Sequence, residues 1–194
     1  MLRVIDETTD LPVSVSEAKL YARIPYDIED SLVSSWIKAG TELAEGYQRR
    51  TYIRKTLEYS CDGYPSMPLY LPSADKCRLI DYVSIYDTDS SAIVLYDSRV
   101  DPIYDPGYLD INLSAKPTAA IDIKYGTRLP TVKLRGIRSF VCQFFSGADS
   151  SSEVSPIVRD AIFLYCAYRN DNRTGEHPIP EAFWDLLAKE RLYE

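Results

Sequence analysis

The sequence predicts an α+β protein: a helical bundle (N- and C-terminal helices) with an inserted small antiparallel β-sandwich or barrel module. Three observations predict it. Apolar residues repeat with a helical period from Leu32 to Tyr47, the period changes to two at Thr51, and helical spacing returns after Ser150. The predicted boundaries are 1–51 plus 151–194 for the bundle and 52–150 for the β module. Each end block alone has too little apolar surface for a core, so insertion is the economical topology.

The first helix is predicted over about Val15 to Ala22, because Ser14 followed by Glu17 forms a capping box. Pro25 ends that element, since the residue before a proline avoids helical angles. Asp27 and Asp30 then open a longer helix, two acids at its positive end. Leu32, Val33, Trp36, Ile37, Gly40, Leu43, Ala44 and Tyr47 mark its apolar face, and Arg49 and Arg50 suit its C-terminus.

In the middle block, Ile53, Leu57, Tyr59 and Cys61 share one face of a strand, while Arg54, Thr56, Glu58, Ser60 and Asp62 share the other. Further strand-like runs are Leu69–Leu71, Leu79–Tyr86, Ala92–Tyr96, Ala120–Tyr125 and Ile137–Phe145. Turn clusters separate them: Asp62 to Pro65, Asp87 to Ser91, Asp105-Pro106-Gly107 and Gly126 to Pro130. In the last block Ser155 caps a helix with Pro156 at its first position. The apolar face of that helix runs through Ile157, Ala161, Leu164, Tyr165 and Tyr168. A final helix starts near Pro180 and carries Phe183, Trp184, Leu186 and Leu187.

Composition narrows function by exclusion. With 194 residues, 45% hydrophobic and 26% charged, the chain is an ordinary globular domain. No stretch approaches the ~18 apolar residues of a membrane span. Acids in MLRVIDETTD occupy the place of a signal-peptide core, so secretion is not expected. The net charge of −7 disfavours gripping a DNA duplex. Cys61, Cys77, Cys142 and Cys166 are 16, 65 and 24 residues apart, without CxxC spacing, and His177 is the only histidine. A structural zinc site is therefore not expected, and His177 reads as a solvated loop residue rather than a catalytic base. The cysteines read as free thiols. The eight glycines match neither phosphate-loop pattern, and no cofactor, metal or enzyme activity is expected.

Charge is unevenly placed. No acid occurs from Ile123 to Ala148, where Lys124, Arg128, Lys133, Arg135 and Arg138 fall. Acids gather upstream instead, at Asp87, Asp89, Asp97, Asp101, Asp105 and Asp110, with Arg99 among them. Asp87-x-Asp89 is too short for a calcium loop. The basic run is either a solvated strand face or a surface for an acidic partner. Pairing between the two runs on neighbouring subunits would suit a heterologous, ring-forming contact. The sixteen tyrosines are either interface residues or half-buried strand filler.

The order of motifs resembles the head–tail connector (adaptor) proteins of tailed phages and gene transfer agents, in the larger variety with a β insertion. The matching pieces begin with VSEAKLYAR (Val15–Arg23), Asp27-x-Glu29-Asp30 with Leu32, Ile37-x-Ala39, Ala44-Glu45 and Arg50. Thr56, Asp62-Gly63-Tyr64-Pro65, LYLP (Leu69–Pro72) and VSIYD (Val83–Asp87) follow. YGTRLP (Tyr125–Pro130), FFSG (Phe144–Gly147) and SPIVRDAIFLYCAYRNDNR (Ser155–Arg173) complete the series. The similarity spans about residues 13–173. Leu129 stands where the family has tryptophan, Gln48-Arg49 replaces Thr-Gly, and LPSAD lacks a second proline.

The resemblance implies a virion structural protein at the head–tail junction, made in the bacterial host cytoplasm and without catalysis. It implies a homo-oligomeric ring, usually of twelve copies, that binds the portal protein and receives a stopper or tail-completion protein. DNA would pass through as cargo during genome packaging and ejection, and no membrane is involved. Beyond the matched core, Trp184, Leu186, Leu187, Arg191 and Tyr193 form either a portal-docking anchor set or a helix packed on its own bundle. A different neck or tail-completion protein, or another oligomeric binding module, is the alternative reading.

Overall fold

The computed structural model describes residues 1–25, 29–74, 76–99, 107–115, 118–174 and 176–191. Asp27, Asp101, Asp105 and Tyr193 lie outside the described residues. The chain forms two compact units. A β unit comprises Met1–Thr8 and Arg54–Gly147, and a helical unit comprises Thr9–Ile53 and Ala148–Glu194. Each has its own buried apolar cluster.

The helical unit contains α1 (Val15–Ala22), α2 (Asp30–Gln48), α3 (Pro156–Asp171) and α4 (Glu181–Ala188). The α1 capping box is present: the Glu17 N–H donates to Ser14 Oγ at 3.2 Å and the Ser14 N–H donates to Glu17 Oε2 at 3.0 Å. Glu29 occupies the α2 N-cap without a side-chain hydrogen bond. Val33, Trp36, Ile37, Gly40 and Ala44 are buried as the helical period requires, whereas Leu32 and Leu43 are exposed. Ser155 stands at the α3 N-cap with Pro156 behind it, but its hydroxyl donates to Glu190 at 2.6 Å instead of capping. The buried stripe of α3 is Val158, Ala161, Ile162, Tyr165 and Cys166: Ala161 and Tyr165 lie on the predicted face, but the stripe is rotated from it so that Ile157, Leu164 and Tyr168 are only half-buried. Close approach explains the rotation. A Cβ on Gly40 of α2 would lie 2.8 Å from Tyr165 Cδ1, so α3 turns its small residues and Tyr165 toward a neighbour that lacks a side chain.

The β unit has eight strands: β1 (Leu2–Glu7), β2 (Lys55–Cys61), β3 (Leu69–Tyr70), β4 (Cys77–Tyr86), β5 (Ala92–Asp97), β6 (Leu109–Asn112), β7 (Ala120–Ile123) and β8 (Phe140–Ser146). They form two antiparallel sheets, one of order β1-β2-β8-β4-β5 and one of order β3-β7-β6. Neither order closes on itself among the described residues, so the barrel alternative does not hold. Both sheets feed one buried cluster through Leu57, Ile80, Val83, Ile121, Phe140 and Phe144.

Residues 1–8, placed with the helices by their sequence, belong to the β unit because β1 pairs with β2 from Leu2↔Tyr59 to Glu7↔Lys55. The Met1 ammonium also donates to the Ser60 carbonyl at 2.5 Å. The predicted strands Ala120–Tyr125 and Ile137–Phe145 are shorter than expected at their facing ends. Gly126, at φ 82, turns the chain after β7, and Arg138, at φ 49, turns it before β8.

Candidate functional site

The tail residues pack against their own helical unit. Phe183 and Leu187 are fully buried, and Trp184 and Leu186 cover the same cluster. Trp184 meets Phe183 edge-on at 4.8 Å and Tyr47 at 5.2 Å between ring centroids. Gln48, buried on α2, donates to the Leu187 carbonyl at 2.7 Å and accepts from Tyr52 Oη at 2.8 Å. A buried amide so satisfied fixes the end of α4. Arg191 is exposed, its guanidinium 4.8 Å over the Tyr47 ring. Of the proposed anchor set, Leu187 is thus interior, Trp184 and Leu186 are half-buried, and Arg191 reaches solvent.

The basic run lies mostly on the connection between β7 and β8, and its members divide into two groups. Arg138 pairs with Glu58 of β2, and its N–H donates to Asp62 Oδ1 at 2.7 Å. Arg135 donates to the Arg138 carbonyl at 3.0 Å and lies 4.0 Å over the Tyr86 ring, a cation–π contact. These two cations are engaged within the chain. Lys124, Arg128 and Lys133 are exposed and form no ion pair among the described residues.

The acids divide likewise. Asp87 Oδ1 accepts from the Asp89 and Ser91 N–H groups, each at 2.9 Å, and so builds the β4–β5 turn. Asp97 receives Arg99 through Nε at 2.9 Å and Nη2 at 3.1 Å. These hydrogen bonds from Arg99 hold the Asp97 carboxyl below its ordinary value. Asp89 is exposed. The acidic turn and the basic run are also neighbours within one chain, since the Thr88 N–H donates to the Lys133 carbonyl at 3.0 Å and Asp87 bridges Leu134.

Two apolar side chains on this connection escaped the sequence reading. Tyr125 is fully exposed beside Gly126, and Ile137, read as strand, is 73% exposed between Gly136 and Arg138. The glycines were the available signal, for each marks a turn tip that a flanking side chain must leave.

Cys77 is pushed up to about 11 and Cys166 to about 12 by burial, and burial also raises Cys142, so these thiols stay protonated near neutrality. His177 is exposed, and its carbonyl, not its ring, accepts from Tyr168 Oη at 2.5 Å. No group of three His, Cys, Asp or Glu side chains among the described residues is arranged to hold a metal ion. A groove of about 610 Å³ in the helical unit is lined by Val15, Leu20, Ile24 and Pro25, with the Lys19–Asp30 ion pair (2.6 Å) at its wall. No described helix is long and apolar enough to cross a membrane.

No protein-family model matches the chain, and no curated protein matches it. Solved structures do. A chain from the virion of a native gene transfer agent particle superposes with TM-score 0.76 at 17% identity, covering 100% of this chain and 96% of that one. A chain from the neck of an empty gene transfer agent particle, computed with C6 symmetry, gives 0.73 at 16% identity with the same coverage. A chain from the neck of a native particle, computed with C12 symmetry, gives 0.73 at 18% identity, again over 100% and 96%. This protein therefore shares its whole fold, both units included, with chains found in gene transfer agent particles.

Proposed function

We propose that this chain is a structural component of a particle neck: a head–tail connector (adaptor) whose copies form a ring, of about twelve, beneath the portal. The observation that carries the reading is the end-to-end likeness to chains of gene transfer agent necks, one computed with C12 symmetry. The net charge of −7 supports it, because a channel wall that repels phosphates lets DNA pass without sticking. In this reading the ring extends the DNA channel, joins the head to the stopper or tail, and performs no catalysis.

Docking on the portal is assigned to the C-terminal end, through Arg191, the residues after it and the outer sides of Trp184 and Leu186. Removing residues 180–194 would take Phe183 and Leu187 out of the core, so that deletion cannot test docking alone. Truncation after Glu190 spares both. It is expected to weaken portal binding while leaving the melting temperature within about 2–4 °C. Portal binding undiminished by that truncation would remove the docking assignment.

The function itself is tested by tagging the chain in its particle and imaging by electron microscopy. Label at the head–tail vertex, between portal and tail, is the expected result. Label on the capsid or along the tail tube would overturn the reading, and binding to tail tube rather than portal would make the chain a tail-completion protein.

A further inference from the structure

The connection between β7 and β8 holds two large apolar side chains in solvent and fixes them there. Tyr125 is fully exposed and Ile137 is 73% exposed. Below Tyr125, the Thr127 N–H closes a turn on the Lys124 carbonyl at 3.0 Å, and Gly126 supplies the positive φ of 82. Below Ile137, Arg138 is held at φ 49 by Asp62 and Glu58. Between the tips, Tyr64 Oη donates to the Pro130 carbonyl, the Thr88 N–H to Lys133 (3.0 Å), and the Arg135 N–H to Tyr86 (3.1 Å). Hydrogen bonds on both sides of each tip keep the apolar groups from folding back onto the cluster that buries Leu109 and Ile121.

The same connection holds three cations that form no ion pair among the described residues. Lys124, Arg128 and Lys133 are exposed, while Arg135 and Arg138 are already engaged. The acid-free stretch carries five cations, so a chain of net charge −7 has −12 on all its other residues. Apolar tips beside these cations complement acidic protein groups, and the rest of this chain carries an excess of them, the exposed Asp89 included. Phosphates would answer the cations but leave Tyr125 and Ile137 exposed, and the overall negative charge opposes a duplex.

We propose that the β7–β8 connection is a contact surface for a second copy of this chain, with Tyr125 and Ile137 as apolar anchors and Lys124, Arg128 and Lys133 facing the neighbour's acids. The proposal rests on the ring reading above and says which surface makes the contact. A knob on one copy meeting a different patch on the next is a heterologous contact, the kind that closes a ring. Asp87 and Asp97 are not its acceptors, since both are engaged at home.

The test measures assembly by mass photometry, alone and with the particle's portal, at low and high salt. It compares the wild-type chain, Tyr125→Ser/Ile137→Ser and Lys124→Glu/Arg128→Glu. Both variants are expected to melt like wild type and to assemble at least about tenfold more weakly, and the charge reversal is expected to remove most of the salt dependence. Variants that assemble like a ring-forming wild type would overturn this inference and leave the neck reading intact. A wild-type chain that never assembles would overturn the ring and the contact together. A second measurement covers loss of folding in a variant: carbodiimide cross-linking of mixed ¹⁴N and ¹⁵N wild-type copies. Links from Lys124 or Lys133 to acids of the other isotope are expected, and their absence overturns the contact. Retardation of duplex DNA that disappears in Lys124→Glu/Arg128→Glu would assign the surface to phosphates instead.

Discussion

The helical unit turns its distinctive residues inward, and the β unit turns several of its own outward. In the helical unit, ends far apart in sequence complete one another. Gln48 bonds Leu187, Glu17 receives Arg159 at 2.6 Å, and Glu29 receives Arg173 at 2.9 Å. The apolar face of its last helix is spent on its own core. The β unit has its own fully buried interior around Phe140 and Phe144, yet it exposes every residue of β1 and the tips at Tyr125 and Ile137. Burial in the first unit reads as stability. Exposure at Tyr125 and Ile137 in the second is what the contact proposed above would use, although the helical unit also has an exposed apolar side chain in Leu20, at 83%.

Both tryptophans, Trp36 and Trp184, lie in the helical unit, so their fluorescence reports on that unit while circular dichroism reports on both. The largest expected effects are those of Phe183→Ala and Phe144→Ala, each costing about 3–5 kcal/mol by cavity formation. Phe183→Ala should move the fluorescence transition first, and Phe144→Ala the dichroism of the β unit. Fluorescence responding more strongly to Phe144→Ala would break the division. Gly40→Val should cost about 1–3 kcal/mol, because the Tyr165 ring stands where its Cβ would go. A neutral result in urea unfolding would mean that α3 yields more easily than its packing suggests.

Next in size, Ser14→Ala should cost about 1 kcal/mol by removing the α1 cap. Acidification acts on both units, through Glu17 and Glu29 in the helical one and Asp97 in the β one. The Glu17 carboxyl is held below the ordinary 4.5, first by the Ser14 N–H, and Glu29 is held down by Arg173. A depressed carboxylate contributes its stability above the ordinary value and loses it as pH falls through the folded value. The helical unit should therefore weaken on acidification from 4.5 downward, and Glu17→Gln should remove part of that slope. The effect is small, because both carboxylates face solvent. An unchanged slope would release Glu17 from this role. Smallest of all, Tyr125→Ser should change stability by no more than about 0.5 kcal/mol. A larger loss would mean that the side chain supports the fold rather than a contact.

Legibility followed the range of the interactions. The capping box of α1 and the apolar face of α2 are local, and the residues at positions 14, 17 and 33–44 announce them. On α3 the sequence shows Ala161 and Tyr165 but passes over Val158, Ile162 and Cys166, because Ile157, Leu164 and Tyr168 fit the same helical spacing equally well. What selects the buried stripe is Gly40, on another helix. β1 was missed because LRVIDE lacks alternation; it exists by pairing with β2 some fifty residues on. β6, LDIN, was too short to register. The basic run was legible as charge, but that Arg135 and Arg138 are engaged depends on Tyr86 and Glu58, which spacing does not reveal. Ile137 reads as strand because it leads into the apolar run of β8, and Gly136 is the local sign of the bend that the left-handed Arg138 completes.

The proposed ring of copies under a portal is tested by light scattering on the purified protein, alone and mixed with its particle's portal. A neck ring gives a mass of roughly twelve protomers, either free or appearing with the portal. A monomer whose mass is indifferent to the portal would contradict it.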